Sequence, residues 1–345
     1  MQQYNFPPYG QYIPNPVLTT TEIRYRTQHK LRKTCTAIGF YVLTYIGVLY
    51  AVSIGLAFLF SLFNININET VTQLTAILVS VAGALLPGVV FIAATGFRLR
   101  DAFGKTSVGL TTLIPLSLIG MAVAMVSNYA SEIFQNNISI FGLHNYGGNI
   151  EAGALTPFEI VLYVISVAVV PAFAEEFAYR GLVMGSLKKY GRVFAVVTSS
   201  ILFSAMHANT SQIIFTFFVA LVFGFVDMVA DSVVPSLVIH FLNNFYAVLF
   251  TILDANNQLD EDTIICIHIV VVFLFCLSGF LSFIYLAKTR NDFFRLSDNE
   301  KPTEPHAELL TLKNKMNAFF INPGVLTALT VFLALTLLNF IPQSQ

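Results

Sequence analysis

The chain has 345 residues, of which 56% are hydrophobic and only 11% are charged, and its formal net charge at pH 7 is −1. Together with a mean hydropathy of +0.72, this composition excludes a soluble globular domain. The near-neutral charge, with Lys and Arg confined to a few loops, also argues against a nucleic-acid partner. We therefore predict an all-α, polytopic transmembrane helix bundle whose surroundings are a lipid bilayer.

The N-terminal part of the chain is the least apolar. It begins with the polar tract MQQYNFPPYGQYIPNP and continues into a basic run. The first apolar segment is too long for the core of a signal peptide. We predict that residues 1–34 form a disordered, polar and basic cytoplasmic tail.

Nine apolar segments are candidates for helices that cross the membrane, because a bilayer core of roughly 30 Å needs about 20 apolar residues per helix. The fourth segment is long and the fifth is short, so the prediction is about eight or nine spans. The segments are 35–63, 71–97, 107–128, 157–187, 193–209, 212–230, 233–253, 263–287 and 317–340.

Basic residues orient this bundle, because Lys and Arg in short loops stay on the cytoplasmic side. They occur before the first span and in the second, fourth and eighth loops, whereas the first, third and seventh loops contain none. With nine spans and a cytoplasmic N-terminus, all the basic loops lie on one side. The sixth loop, 227–234, is assigned to that side by parity alone.

The stretch PAFAEEFAYRG, residues 171–181, places charges inside an apolar span. Charges at bilayer depth cost a few kcal/mol each, so they persist mostly where they pair and serve a function. Only Glu175, Glu176 and Arg180 are interpreted as such charges. Glu176 and Arg180 can pair along one helix face, whereas Glu175 projects about 100° away and stays free. By themselves, these three residues are also compatible with a purely structural contact between helices.

Polar residues on the following spans favour a site. His207 comes four residues after Phe203 on the fifth span, and His240 comes four residues before Asn244 on the seventh. A buried carboxylate can act as a general base, and His and Asn can donate to a developing oxyanion. The combination suits activation of water against an acyl carbon, and a peptide bond is the natural substrate.

Spacing predicts the relative depth of these groups. Glu175 and His207 lie equally far on either side of Gly191, roughly 24 Å along each helix. His240 fits less well, because it lies only nine residues after Asp231, where the seventh span is predicted to start.

Two local stretches indicate a pocket that water can reach. HANTSQ, which starts at His207, is predicted to be non-helical, and such backbone at depth is tolerated where it lines a cavity or is buried in protein. In ADSVVPS, Asp231 or Ser232 is predicted to cap the seventh helix, with Pro235 in its first turn.

Three motifs in this order resemble those of a known family. Glu-Glu-x-x-x-Arg at 175–180, Phe-x-x-x-His at 203–207 and His-x-x-x-Asn at 240–244 resemble the CAAX prenyl protease 2 family, part of the wider CPBP or Abi group. The resemblance covers about 157–253. Each motif alone is weak, but the ordered set is fairly specific.

The resemblance implies a role for each matching residue. Glu175, with His207, would activate the water, and His240 and Asn244 would stabilise the oxyanion. The supporting residues would be Glu176, Arg180 and Phe203.

A metal is the alternative to this mechanism, because the family is also labelled metalloprotease. If zinc were bound, its ligands would be Glu175, His207 and His240. However, the chain contains no His-Glu-x-x-His, and Asn is a poor zinc ligand. We favour a glutamate mechanism without a cofactor.

The resemblance implies an intramembrane endopeptidase that acts on a membrane-associated peptide or protein. The substrate stays open between CAAX proteins, bacteriocin or leader peptides and self-immunity. A bacterial plasma membrane is the expected location, with the endoplasmic reticulum as the alternative. The chain would then comprise accessory spans in 35–128, a catalytic core at 157–253 and C-terminal spans in 263–340, with a cytoplasmic connector at 288–316.

Two other functions stay open. The chain could be a catalytically inactive scaffold or immunity protein on the same fold, or a proton-coupled transporter in which the carboxylates and histidines form a relay. Transporters often contain inverted repeats with broken helices. No internal repeat is visible, and the polar residues cluster in one region, which disfavours the transporter.

Overall fold

The computed structural model describes residues 18–104, 109–140, 155–255, 259–290 and 302–340. In these ranges the long elements are all helices. In chain order they are α1 (Thr20–Leu62), α2 (Glu69–Thr95), α3 (Leu99–Phe103), α4 (Leu110–Ser139), α5 (Pro157–Tyr190), α6 (Arg192–Met206), α7 (Thr210–Ala230), α8 (Val234–Ala255), α9 (Glu261–Thr289), α10 (Leu312–Phe320) and α11 (Pro323–Leu338).

Seven helices in the described ranges are long and apolar enough to cross a membrane, namely α1, α2, α4, α5, α7, α8 and α9. α10 and α11 make an eighth span if they are counted together across a bend of 63°. α6 has 15 residues, about 22 Å, which is short for a full crossing. The predicted polytopic helix bundle is confirmed, and the protein is a multi-pass integral membrane protein.

α1 begins at Thr20, well before the predicted first span. The Thr19 side chain accepts a hydrogen bond from the Glu22 backbone N–H, and the Glu22 carboxylate accepts one from the Thr19 backbone N–H. This capping box starts the helix inside the polar region. Residues 20–34 are therefore helical, contrary to the prediction of a disordered tail, and residues 1–17 lie outside the described ranges.

The basic loops meet at one end of the bundle. The Glu304 carboxylate lies 3.0 Å from Lys30 Nζ and 3.4 Å from Lys189 Nζ, so it ties the eighth loop to α1 and to the end of α5. Lys188 Nζ lies 3.6 Å from the Asp231 carboxylate in the sixth loop. The sixth loop therefore lies beside the basic turn after α5, as parity predicts. We call this the basic end; its cytoplasmic location stays a prediction.

Glu304 makes the stability of the basic end depend on pH. Burial raises the pKa of Glu304, but the hydrogen bond from Lys30 and the charge of Lys189 together lower it more, so the pKa lies below its ordinary value. The contact therefore contributes stability at neutral pH that is lost as the pH falls through the lowered pKa. Because the pairs are partly exposed, we expect less than about 1 kcal/mol from each.

We accordingly expect Glu304→Gln to have a slightly lower thermal midpoint than the wild type at neutral pH. The difference should disappear once acid has protonated Glu304 in the wild type, below the ordinary Glu range of about 4.3. Thermal unfolding across a pH series measures this, with Glu308→Gln at an exposed position as the control. A difference in thermal midpoint that persists at low pH would contradict a stabilising role for the ionised Glu304.

Candidate catalytic site

The site is built on α5, whose interior is π-helical in two places. Val164–Val169 and Glu176–Met184 have π-helical hydrogen bonding. Such segments are rare and are frequently found at functional sites. The second one begins immediately after Glu175, so the two adjacent carboxylates stand at a change in helix geometry.

Glu176 is fully buried between two partners. Its Oε2 lies 3.2 Å from Arg180 Nε, and its Oε1 accepts a hydrogen bond of 2.8 Å from His240 Nδ1. The side chains of Glu176 and Arg180 are 0% and 2% exposed. The predicted ion pair is confirmed, and pairing explains how a carboxylate persists at this depth.

Aromatic rings cover the buried guanidinium. The Arg180 Cζ lies 4.3 Å from the centroid of the Phe203 ring and 5.2 Å from that of Phe223. A guanidinium over an aromatic face gains electrostatic attraction, more so away from water. Phe203, which the motifs identify only as a supporting residue, thus packs on the buried pair.

Glu175 is less buried than Glu176. Its side chain is 20% exposed, and its Oε2 lies 3.8 Å from His240 Nε2, beyond hydrogen-bond distance. An ionised carboxylate only accepts, so the His240 proton on Nδ1 is directed at Glu176. His240 therefore lies between the two carboxylates, bonded to Glu176 and facing Glu175.

His207 lies at the end of α6, beside Phe203. Its Nδ1 is 2.9 Å from the Phe203 carbonyl oxygen, so Nδ1 donates and Nε2 keeps the lone pair in the neutral ring. The Phe203 ring centroid lies 4.9 Å from that of His207 and 6.2 Å from that of His240. His207 also interacts electrostatically with Glu175. Both imidazoles thus lie beside the same aromatic ring.

Asn244 belongs to α8 and is hydrogen-bonded to α5. Its Nδ2 donates to the Val167 carbonyl over 3.1 Å, and its Oδ1 accepts from Asn243 Nδ2 over 3.3 Å. Val167 lies in the first π-helical segment, eight residues before Glu175. The structure thus brings Glu175, His207 and His240 close together and attaches Asn244 to the same helix, with one amide hydrogen left for another acceptor.

Asp227 is a buried acid that the sequence analysis missed. It is buried near the end of α7, and its Oδ1 accepts a 3.0 Å hydrogen bond from the Ser236 backbone N–H. It also interacts electrostatically with Glu176 and Arg180. The set Glu175, Glu176 and Arg180 therefore omits one buried acidic residue. A single acid in the apolar run FGFVDM was the available signal, but Asp227 was placed in a loop.

The start of α8 explains why His240 reaches the site. Val234 N–H is bonded to Ser232 Oγ at 3.2 Å, as predicted for a cap, whereas Asp231 pairs with Lys188 instead. Lys188 precedes the tip of the turn at Gly191, so α8 begins deeper in the bundle than the tip. This difference in starting level reduces the predicted mismatch in the depth of His240.

The polar stretch after His207 is shorter than predicted. Ala208 and Asn209 are non-helical, but α7 already begins at Thr210. The prediction of a non-helical HANTSQ is therefore wrong for its second half. A helix start at Thr210 satisfies backbone groups that a loop at this depth would leave unpaired.

The described residues contain no group of three or more His, Cys, Asp and Glu side chains arranged to hold a metal ion. Glu175, His207 and His240, the ligands expected if zinc were bound, do not form such a group.

Comparison with known proteins identifies the segment that carries this geometry. Residues 157–246 match the model of a family described as type II CAAX prenyl endopeptidase, Rce1-like. In this segment the chain is similar to the CAAX proteases of the CPBP family. The Rce1-like segment runs from α5 into α8 and includes all seven residues that the motifs singled out, as well as Asp227.

A second comparison agrees with the family. The membrane-embedded CAAX protease MroQ of Staphylococcus aureus (strain USA300) is 24% identical over 154 residues, which are 41% of this chain. The similar region spans 60% of that relative's length. No solved structure matches the chain.

Proposed function

We propose that this chain is an intramembrane endopeptidase of the CPBP family that hydrolyses a peptide bond of a membrane-associated protein or peptide. The observation that carries the proposal is the difference in environment between the two adjacent carboxylates. Glu176 is fully buried and paired with Arg180 and His240, while Glu175 keeps partial exposure and faces two imidazoles. A CAAX protease among the similar proteins supports a membrane-associated substrate.

In the proposed mechanism Glu175 is the general base. Its carboxylate takes a proton from a water molecule, and the oxygen of that water attacks the carbonyl carbon of the peptide bond. His207, through its Nε2 lone pair, orients the water. The C–N bond then breaks, and Glu175 returns the proton to the leaving amine.

His240 would stabilise the oxyanion through Nε2. Its Nδ1 is bonded to Glu176, so Nε2 can donate only if the ring is protonated on both nitrogens. The hydrogen bond to Glu176 fixes the orientation of the His240 ring. This gives Glu176 a function beyond its ion pair, and it explains why two adjacent carboxylates are present.

Asn244 would be the second donor to the oxyanion. We expect Asn244→Ala to lower the rate of cleavage by on the order of 10²–10³, the usual effect of removing one oxyanion donor. Rates are measured on a membrane-tethered peptide with the protein in nanodiscs. Asn243→Ala removes the neighbouring amide and is expected to cause a smaller loss. Equal losses in the two variants would indicate a packing effect and argue against a donor role.

A chelator tests the glutamate mechanism against zinc. We expect the reconstituted protein to cleave its peptide at the same rate after prolonged treatment with excess EDTA, because Glu175 alone generates the nucleophile. The zinc content of the purified protein is measured in parallel. Loss of activity with EDTA, restored by added zinc, would replace this mechanism with a metal-dependent one.

A further inference from the structure

A cavity with a volume of about 820 Å³ lies at the basic end of the bundle. Residues 33–37 of α1, the ends of α2 and α5, the start of α6 and the sixth loop surround it. None of the seven residues proposed for the reaction lines it. The basic side chains in its wall are Lys33, Arg98, Lys188, Lys189 and Arg192.

The acids near this cavity are already paired. The Asp231 carboxylate lies 3.6 Å from Lys188 Nζ, and that of Asp101 lies 3.6 Å from Arg100 Nε. By contrast, no carboxylate in the described ranges forms an ion pair with Lys33 or Arg98. The cavity therefore keeps at least two positive charges that an anionic ligand can neutralise.

The wall is apolar beside these charges. Phe91 and Phe97 line the cavity, and their ring centroids are 6.4 Å apart. Ala94, at the end of α2, is an exposed apolar residue of the same wall. A ligand here would contact cationic groups beside an apolar and aromatic surface, which suits an amphiphile better than a soluble anion.

We propose that this cavity binds the headgroup of an anionic phospholipid, with Lys33 and Arg98 contacting its phosphate. Basic pockets between transmembrane helices on the cytoplasmic side bind such headgroups. Lys33 belongs to α1, Arg98 follows α2, and Gly185 of α5 also lines the cavity. The lipid would therefore connect the first two spans to the helix that carries Glu175. This proposal does not depend on the proteolytic function.

Binding of a fluorescent phosphatidylglycerol to the purified full chain tests the proposal. We expect it to bind more tightly than a fluorescent phosphatidylcholine with the same acyl chains. The double variant Lys33→Gln/Arg98→Gln should bind phosphatidylglycerol on the order of tenfold or more weakly, since each basic residue near the anionic lipid contributes appreciably. The phosphatidylcholine affinity should not change.

The control variant Arg24→Gln/Arg26→Gln removes the same charge from exposed positions of α1 that do not line the cavity. It should bind phosphatidylglycerol as the wild type does. Equal weakening in the two double variants would assign the effect to general surface charge and overturn the proposal. So would full displacement by inorganic phosphate, because the ligand would then be the soluble ion.

The test remains informative if the double variant folds poorly. Size-exclusion chromatography and circular dichroism report folding, and the single variant Arg98→Gln changes only an exposed side chain without a capping hydrogen bond. It should still lower the affinity for phosphatidylglycerol severalfold. An unchanged affinity in a folded Arg98→Gln would refute the proposed contact.

Discussion

Replacing Glu175 by Gln is expected to abolish cleavage of a membrane-tethered peptide while leaving the protein folded. Gln keeps the shape of the side chain but cannot take a proton from water, and loss of a general base lowers a rate by on the order of 10²–10⁴. Glu175 is partly exposed and accepts no hydrogen bond from His240. Its replacement should therefore not leave a buried partner unsatisfied.

Two further variants make this result specific. Asp254→Asn removes an exposed acid at the end of α8 and should cleave at the wild-type rate. Glu176→Gln removes the charge that holds His240 and Arg180, so it should lose both activity and folded yield. Cleavage by Glu175→Gln at a rate close to that of the wild type would remove the proposed base and, with it, the mechanism.

The Arg180→Ala variant is expected to be less stable than the wild type, and not only less active. The substitution removes the guanidinium that pairs with the buried Glu176 and that packs on the rings of Phe203 and Phe223. Breaking a buried pair by removing one partner typically costs about 3–5 kcal/mol. We therefore expect a low yield of monodisperse protein and a lowered thermal midpoint.

A double variant shows whether the unpaired charge of Glu176 causes this loss of stability. Glu176→Gln/Arg180→Gln has no uncompensated charge from the pair, so it should be more stable than Arg180→Ala, although it should be inactive. Arg24→Ala, an exposed position on α1, is the control and should behave as the wild type. Yields for Arg180→Ala that match this control would show that the buried pair does not stabilise the fold.

Much of this architecture was predictable from local sequence. Apolar segments of sufficient length predicted the helices, and the positions of Lys and Arg predicted which loops would meet. The spacing of four residues between Glu176 and Arg180 predicted their ion pair. Each of these predictions depends on periodicity or composition, which a single sequence contains.

What the sequence could not supply depends on contacts between distant segments. Asp227 looked like a loop residue because its partner, the Ser236 backbone N–H, is made available only by how α7 and α8 pack. The contact between Asp231 and Lys188, which places the start of α8 beside the end of α5, was not visible in the sequence either. The π-helical geometry after Glu175 likewise leaves no periodic signal.

The capping box at Thr19 and Glu22 is a different case, because its signature was present in the sequence. It was overlooked because the surrounding residues are polar and basic, which favoured a disordered tail. Helix start signals therefore deserve the same weight as hydropathy when a membrane span is extended by a polar first half.

The most direct test of the central claim is cleavage in water enriched in the heavy oxygen isotope. The purified protein in nanodiscs is given a membrane-tethered peptide, and mass spectrometry reads the two products. Glu175-activated hydrolysis predicts one labelled oxygen in the new carboxyl group, with no labelled product from Glu175→Gln. A labelled product formed equally well by Glu175→Gln would contradict the account.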